Sequence, residues 1–146
     1  MKHIYYIFAL WYIFTEISWI FNPLEKTKDM FRFKELNKEQ KGLKWDDYSN
    51  EYKDQLKSKF WLLFLIAWMF LGLFTFQWFA FLIFLIFHFG IVGIISRAAY
   101  PNVYMYATFH IIFSFIGLLF GLFFIINAFH LKIDSIEMLR YLGLNI

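Results

Sequence analysis

Hydrophobic residues in this chain fall in long blocks. The longest, Phe60–Ser96, reads FWLLFLIAWMFLGLFTFQWFAFLIFLIFHFGIVGIIS and holds no Asp, Glu, Lys or Arg. Lys57 and Lys59 bound it on one side and Arg97 on the other. So long an uncharged run predicts burial in a bilayer. As a single helix it would measure roughly 55 Å, against a hydrocarbon core of about 30 Å. Two spans joined by a tight hairpin near Phe74–Gln77 fit better. Gly72, Thr75 and Gln77 are the residues there that weaken a helix or supply a polar group.

Two further apolar blocks flank this one. Ile4–Phe21 is about 18 residues long, just enough to span. Its bulky Tyr5, Tyr6, Trp11, Tyr12 and Trp19, and the lack of a small-residue cleavage site, predict a span rather than a signal peptide. Val103–Ala128 carries no charge apart from His110. The expected fold is therefore an all-α integral membrane protein. It is a four-transmembrane-helix bundle with spans near 4–21, 60–75, 77–96 and 103–129, the alternative being three spans.

Residues 22–59 form the one long hydrophilic segment. Asn22-Pro23 ends the first span. Charges of both signs alternate after it, which predicts a solvated, partly helical connector. Asp46 or Asp47 is expected to cap a helix entering the second span. Trp45, Tyr48, Tyr52 and Leu56 share one face of that helix. Asn102 is expected to cap the last span, and Ser135–Leu144 to form a short amphipathic helix with Ile136, Leu139, Tyr141 and Leu142 as its apolar positions. Lys26, Lys28, Arg32, Lys34, Lys38, Lys41, Lys44, Lys53, Lys57 and Lys59 crowd the 22–59 segment. The positive-inside rule then places it on the cytoplasmic or matrix side of a bacterial inner or mitochondrial inner membrane. With four spans, Arg97 lies on that side too, and His3 and His130 lie at the opposite surface.

Composition sharpens the class. The chain is 61% hydrophobic with 22 Phe, 9 Tyr and 6 Trp, far more aromatic than a soluble domain. The absence of cysteine excludes disulfides, thiol catalysis and thiolate metal sites. The net charge of +3 is small, and acidic residues are mixed among the basic ones, so nucleic acid is not an expected partner.

Polar groups inside a bilayer are costly and so become the candidate site residues. His88 and His110 lie at matching distances from the 97–101 turn, which places both imidazoles at one depth on antiparallel neighbours. Facing each other, they would suit haem b ligation; otherwise each is a hydrogen-bonded packing residue. Glu16 is the one carboxylate inside a span, and pairing with Arg97 or a proton relay toward His110 are its expected roles. Gln77 is expected to satisfy the hairpin. On the last span Ala107, His110, Ser114, Gly117, Gly121, Phe124 and Ala128 make a stripe of mostly small residues. Gly117 and Gly121 form a GxxxG pair suited to close helix packing.

No nucleophile–base pair, phosphate-binding glycine loop, HExxH or paired Glu-x-x-His motif is present. The leading expectation is a non-catalytic accessory or assembly subunit of a larger membrane complex, without cofactor or metal, whose partners are the bilayer and other membrane subunits. One alternative is a haem-b electron-transfer subunit using His88 and His110. Another is a small transporter or channel component using Glu16, His88 and Arg97.

Overall fold

The computed structural model describes residues 2–144, with side chains from residue 6 onward. The side chains of His3 and Tyr5 therefore lie outside the described residues. The protein is an all-α membrane bundle, and no strand occurs among the described residues. Three helical stretches are long and apolar enough to cross a membrane: Asn50–Phe74, Trp78–Ala99 and Val103–Leu131. Helix α1 (Lys2–Phe21) turns through 103° into α2 (Pro23–Glu39), and the bent pair counted as one span makes a fourth.

Helix α1 runs antiparallel to α6 (Val103–Ile126) along nearly its full length. Tyr6 meets Phe129 at one end, with ring centroids 5.6 Å apart. Trp19 stacks on His110 near the other end, at 4.6 Å. The small-residue stripe of α6 makes this approach possible: Gly117 abuts Tyr12 and Glu16, and Gly121 abuts Ile13. Without a hydrophobic driving force between helices in lipid, such close backbone packing is what holds spans together.

The 22–59 segment is more structured than a solvated connector. Pro23 occupies the first turn of α2, where its missing N–H costs nothing. Helix α2 then lies across one end of the bundle and buries Thr27, Phe31 and Leu36. Phe31 packs edge-on against Tyr100 and Tyr106, at 4.7 and 5.1 Å. Lys34 sits 4.5 Å from the Tyr100 ring centre, and burial, with Lys38 and Arg97 nearby, pushes its ammonium below the ordinary lysine range. The helix entering the second span, α3 (Asn50–Leu71), is capped by Ser49 and not by Asp46 or Asp47. Those aspartates belong to a separate 3₁₀ turn, Trp45–Asp47. Ser49 Oγ accepts from the Tyr52 N–H at 3.2 Å. Tyr52 leaves the exposed stripe expected of it and packs on α2, its hydroxyl donating to Asn37 Oδ1 at 2.7 Å. Arg32 and Glu51 close the junction with two bonds of 2.8 Å.

Spans two and three turn through a 3₁₀ segment, Gly72–Phe74, into α4 (Trp78–Leu85). Gly72 lies against the Phe81 ring, where no side chain could fit. The turn is satisfied differently from expectation. The Gln77 side chain is fully buried and has no hydrogen-bond partner among the described residues. Ser135 takes the role instead: its hydroxyl donates to the Phe76 carbonyl at 2.8 Å and accepts from the Phe79 N–H at 3.0 Å. Ser135 opens α7 (Ser135–Tyr141), whose start is a capping box between Asp134 and Glu137. Of the four apolar positions expected to anchor α7, Leu139 alone is buried; Ile136, Tyr141 and Leu142 are exposed.

The third span is not a uniform helix. A π-helical turn, Ile86–Val92, separates α4 from α5 (Gly93–Ala99). Asn102 caps α6 through a 3.0 Å bond from the Met105 N–H. The resulting bundle has two distinct ends. One carries α2 and the 97–102 turn; the other carries the 72–77 turn and α7.

Candidate functional site

Among the described residues, the buried positions of α1 are Ala9, Tyr12 and Glu16. They recur at three- and four-residue spacing, so a single helical face brings a phenol and a carboxyl into the bundle. Helix α6 faces it with His110, Ser114 and Gly117. Between these two helices, α3 and the π turn of the third span lies a cavity of about 390 Å³. Its polar lining includes Tyr12, Glu16, His88, Ser96, His110 and Ser114.

Glu16 sits against Gly117, flanked by the hydroxyls of Tyr12 and Ser114. It does not pair with Arg97, which is exposed at the α2 end beside Lys34. The reason is direction: the Ala9–Glu16 face points at α6, not at the end of α5. No Lys or Arg lines the cavity.

His110 is held on three sides. Its ring lies between Trp19, at 4.6 Å, and Tyr106, at 4.4 Å, both stacked. Its Nε2 and the Ser96 hydroxyl are hydrogen-bonded at 3.1 Å. His88, in the π turn, lies 6.3 Å from the Tyr12 ring and 5.8 Å from Phe84, and makes no hydrogen bond among the described residues. The two imidazoles thus share one cavity in different environments, His110 hydrogen-bonded and His88 packed among aromatic rings. Among the described residues no group of three or more His, Asp or Glu is placed to hold a metal ion.

Below the cavity, toward α7, the core closes into an aromatic plug. Phe81 stacks on Phe124 at 4.0 Å, and Trp68, Phe84 and Tyr12 pack around them. Above it lie Trp19, Met30 and Tyr106. The side toward lipid is different: Leu62, Ile66 and Phe89 line the cavity and are exposed, so it opens between α3 and the third span.

Sequence reasoning singled out Glu16, His88, His110, Ser114, Gly117, Gly121 and Arg97; the first four line this space and Gly117 lies against Glu16, while Gly121 packs on Ile13 and Arg97 lies at the α2 end. It missed Tyr12, Trp19, Ser96 and Tyr106. Tyr12 and Trp19 share the Glu16 face at helical spacing, which is the signal that pointed to them. The π turn carries no such signal. Comparison of the chain with protein-family models, curated proteins and solved structures finds no match.

Proposed function

We propose that this chain is a non-catalytic accessory or assembly subunit of a larger membrane complex, joined to a transmembrane helix of another subunit through the first apolar turns of α3. The observation that carries this reading is the exposure of Phe60, Trp61, Leu62, Leu63 and Phe64, each between 41% and 59% exposed. Five consecutive residues exceed one helical turn, so α3 is only partly covered there, with Trp61 touching Trp11 and Leu62 lining the cavity. Further along, Leu65, Trp68 and Met69 return to the core. A cleft of about 550 Å³ bounded by Trp45, Lys57, Phe60 and Trp61 adjoins the exposed stretch and gives a neighbouring helix a seat. The glycine stripe of α6 is occupied by α1, so it is not the partner surface. The basic residues of the 22–59 segment support a cytoplasmic or matrix location for the α2 end.

The geometry lends less to the alternatives. A haem ligand needs a ring nitrogen free to reach iron and room for a porphyrin beside it. His110 has Ser96 on Nε2 and rings on both faces. A transporter needs a polar path through the bundle, and the Phe81–Phe124 plug interrupts one among the described residues.

A paired substitution tests the partner surface. Phe60→Ser with Leu63→Ser is expected to release the chain from its native-size assembly, measured after mild detergent extraction from its own membrane. Its thermal stability should stay unchanged, because both side chains are exposed. Leu119→Ser on the exposed face of α6 should leave the assembly intact. Wild-type chain extracted as single copies would contradict the reading.

A further inference from the structure

We propose that the cavity between α1, α3, α6 and the π turn is a binding site for a small lipophilic organic cation, such as a quaternary or alkylated amine, with Glu16 as its countercharge. This goes beyond the subunit reading and does not depend on it.

Four observations converge on the site. First, Glu16 is 7% exposed, faces the cavity, and has no cationic side chain in the lining to balance it. A carboxyl inside a span with no paired cation is a candidate binding group. Second, the Tyr12 hydroxyl, 2% exposed, and the Ser114 hydroxyl flank the carboxyl and hold it at the cavity wall. Third, the walls are largely aromatic: Trp19, Phe87, Phe89 and Phe113 line the cavity. Ring faces attract organic cations, and more strongly where water is excluded. Fourth, the chain keeps the space open. A Cβ at Gly93, which lines the cavity, would meet nothing within 4 Å. The π turn directly before it interrupts the helix, a feature common at functional sites.

Size and access set the ligand class. A volume of about 390 Å³ accepts a compact small molecule but is modest for a folded peptide or a lipid. The exposed rim of Leu62, Ile66 and Phe89 opens toward lipid, so the ligand must partition into the bilayer to enter. An anion finds no Lys or Arg in the lining. A neutral molecule would gain no charge pairing from Glu16, whereas a cation would.

The test uses the full chain in phosphatidylcholine nanodiscs, titrated with benzyltrimethylammonium and followed by tryptophan fluorescence and saturation-transfer NMR of the ligand methyl groups. Neopentylbenzene, the same shape with carbon in place of the charged nitrogen, is the control ligand. Saturable binding of the cation is expected, weakened at least about ten-fold by Glu16→Gln, which removes about 1.4 kcal/mol or more. Gly93→Leu should fill the cavity and abolish binding while leaving the chain folded, because a Cβ at 93 meets nothing within 4 Å and Leu favours helix over Gly. Neopentylbenzene should not compete. Absence of saturable binding, equal affinity in Glu16→Gln, or equal competition by the neutral isostere would each overturn the proposal. So would undiminished binding in a folded Gly93→Leu.

Discussion

The carboxyl of Glu16 rests directly on Gly117. A Cβ at position 117 would lie 3.0 Å from the Glu16 carboxyl carbon and closer still to the Tyr12 hydroxyl. The Glu16 carboxyl is the end of a flexible side chain and can swing aside, while the buried Tyr12 ring must shift slightly. Gly117→Ala is expected to cost only about 1 kcal/mol, at the low end of overpacking, while displacing Glu16. Thermal unfolding in detergent measures the first effect. Weaker binding of benzyltrimethylammonium measures the second.

Gly121 has less freedom. A Cβ there would meet Ile13 Cγ1 at 2.7 Å and Tyr12 Cδ1 at 3.3 Å, atoms near the α1 backbone. Gly121→Leu should therefore push α1 away from α6 and cost more, about 1–3 kcal/mol. Leu119→Val, on an exposed position of the same helix, is the matched control and should be nearly silent. Equal melting temperatures for the two variants would show that α1 and α6 are not in close contact.

Ser135 ties α7 to the hairpin through three bonds: its N–H and hydroxyl both donate to the Phe76 carbonyl, and its hydroxyl accepts from the Phe79 N–H. Ser135→Ala leaves the amide without its acceptor and removes one donor to the carbonyl. The expected cost is about 1–3 kcal/mol. Amide exchange should quicken at Phe79 and through α7 while α2, at the other end, is unaffected.

The Arg32–Glu51 pair is exposed, so its effect on stability is small and screened by salt. The hydrogen bonds from Arg32 hold the Glu51 carboxyl below the ordinary glutamate range. A folded-state pKa below the unfolded one means that the stabilisation is present above about pH 4.3 and fades as pH falls through and below it. A carboxyl NMR titration should show a depressed Glu51 midpoint that returns to the ordinary range in Arg32→Ala.

Much of the bundle was legible because a charge-free run longer than a bilayer is thick can be buried almost nowhere but in lipid. The hairpin at 72–77 and the Asn102 cap followed from Gly72, Thr75 and Asn102 as local signals. The docking of α2 did not, because Phe31 and Leu36 are sparse among lysines, and only the tertiary partners Tyr100 and Tyr106 reveal what they cover. The site was half visible. Depth along a helix is countable, so Glu16, His88 and His110 could be placed near one level. Rotation about the helix axis is not countable, and a π turn at 86–92 alters it further, so whether His88 met His110 or Tyr12 lay beyond the pattern. The Glu16–Arg97 pairing failed on the same point.

The antiparallel run of α1 along α6, with α2 and the 97–102 turn together at one end, requires an even number of crossings. Sidedness of labelling tests it directly, and the natural lack of cysteine makes each introduced thiol unique. Lys41→Cys, Ala98→Cys and Tyr141→Cys, all at exposed positions, are probed in sealed oriented vesicles with a membrane-impermeant maleimide. Lys41→Cys and Ala98→Cys are expected to label from one side and Tyr141→Cys from the other. Labelling of Lys41→Cys and Tyr141→Cys from the same side would contradict the four-crossing bundle.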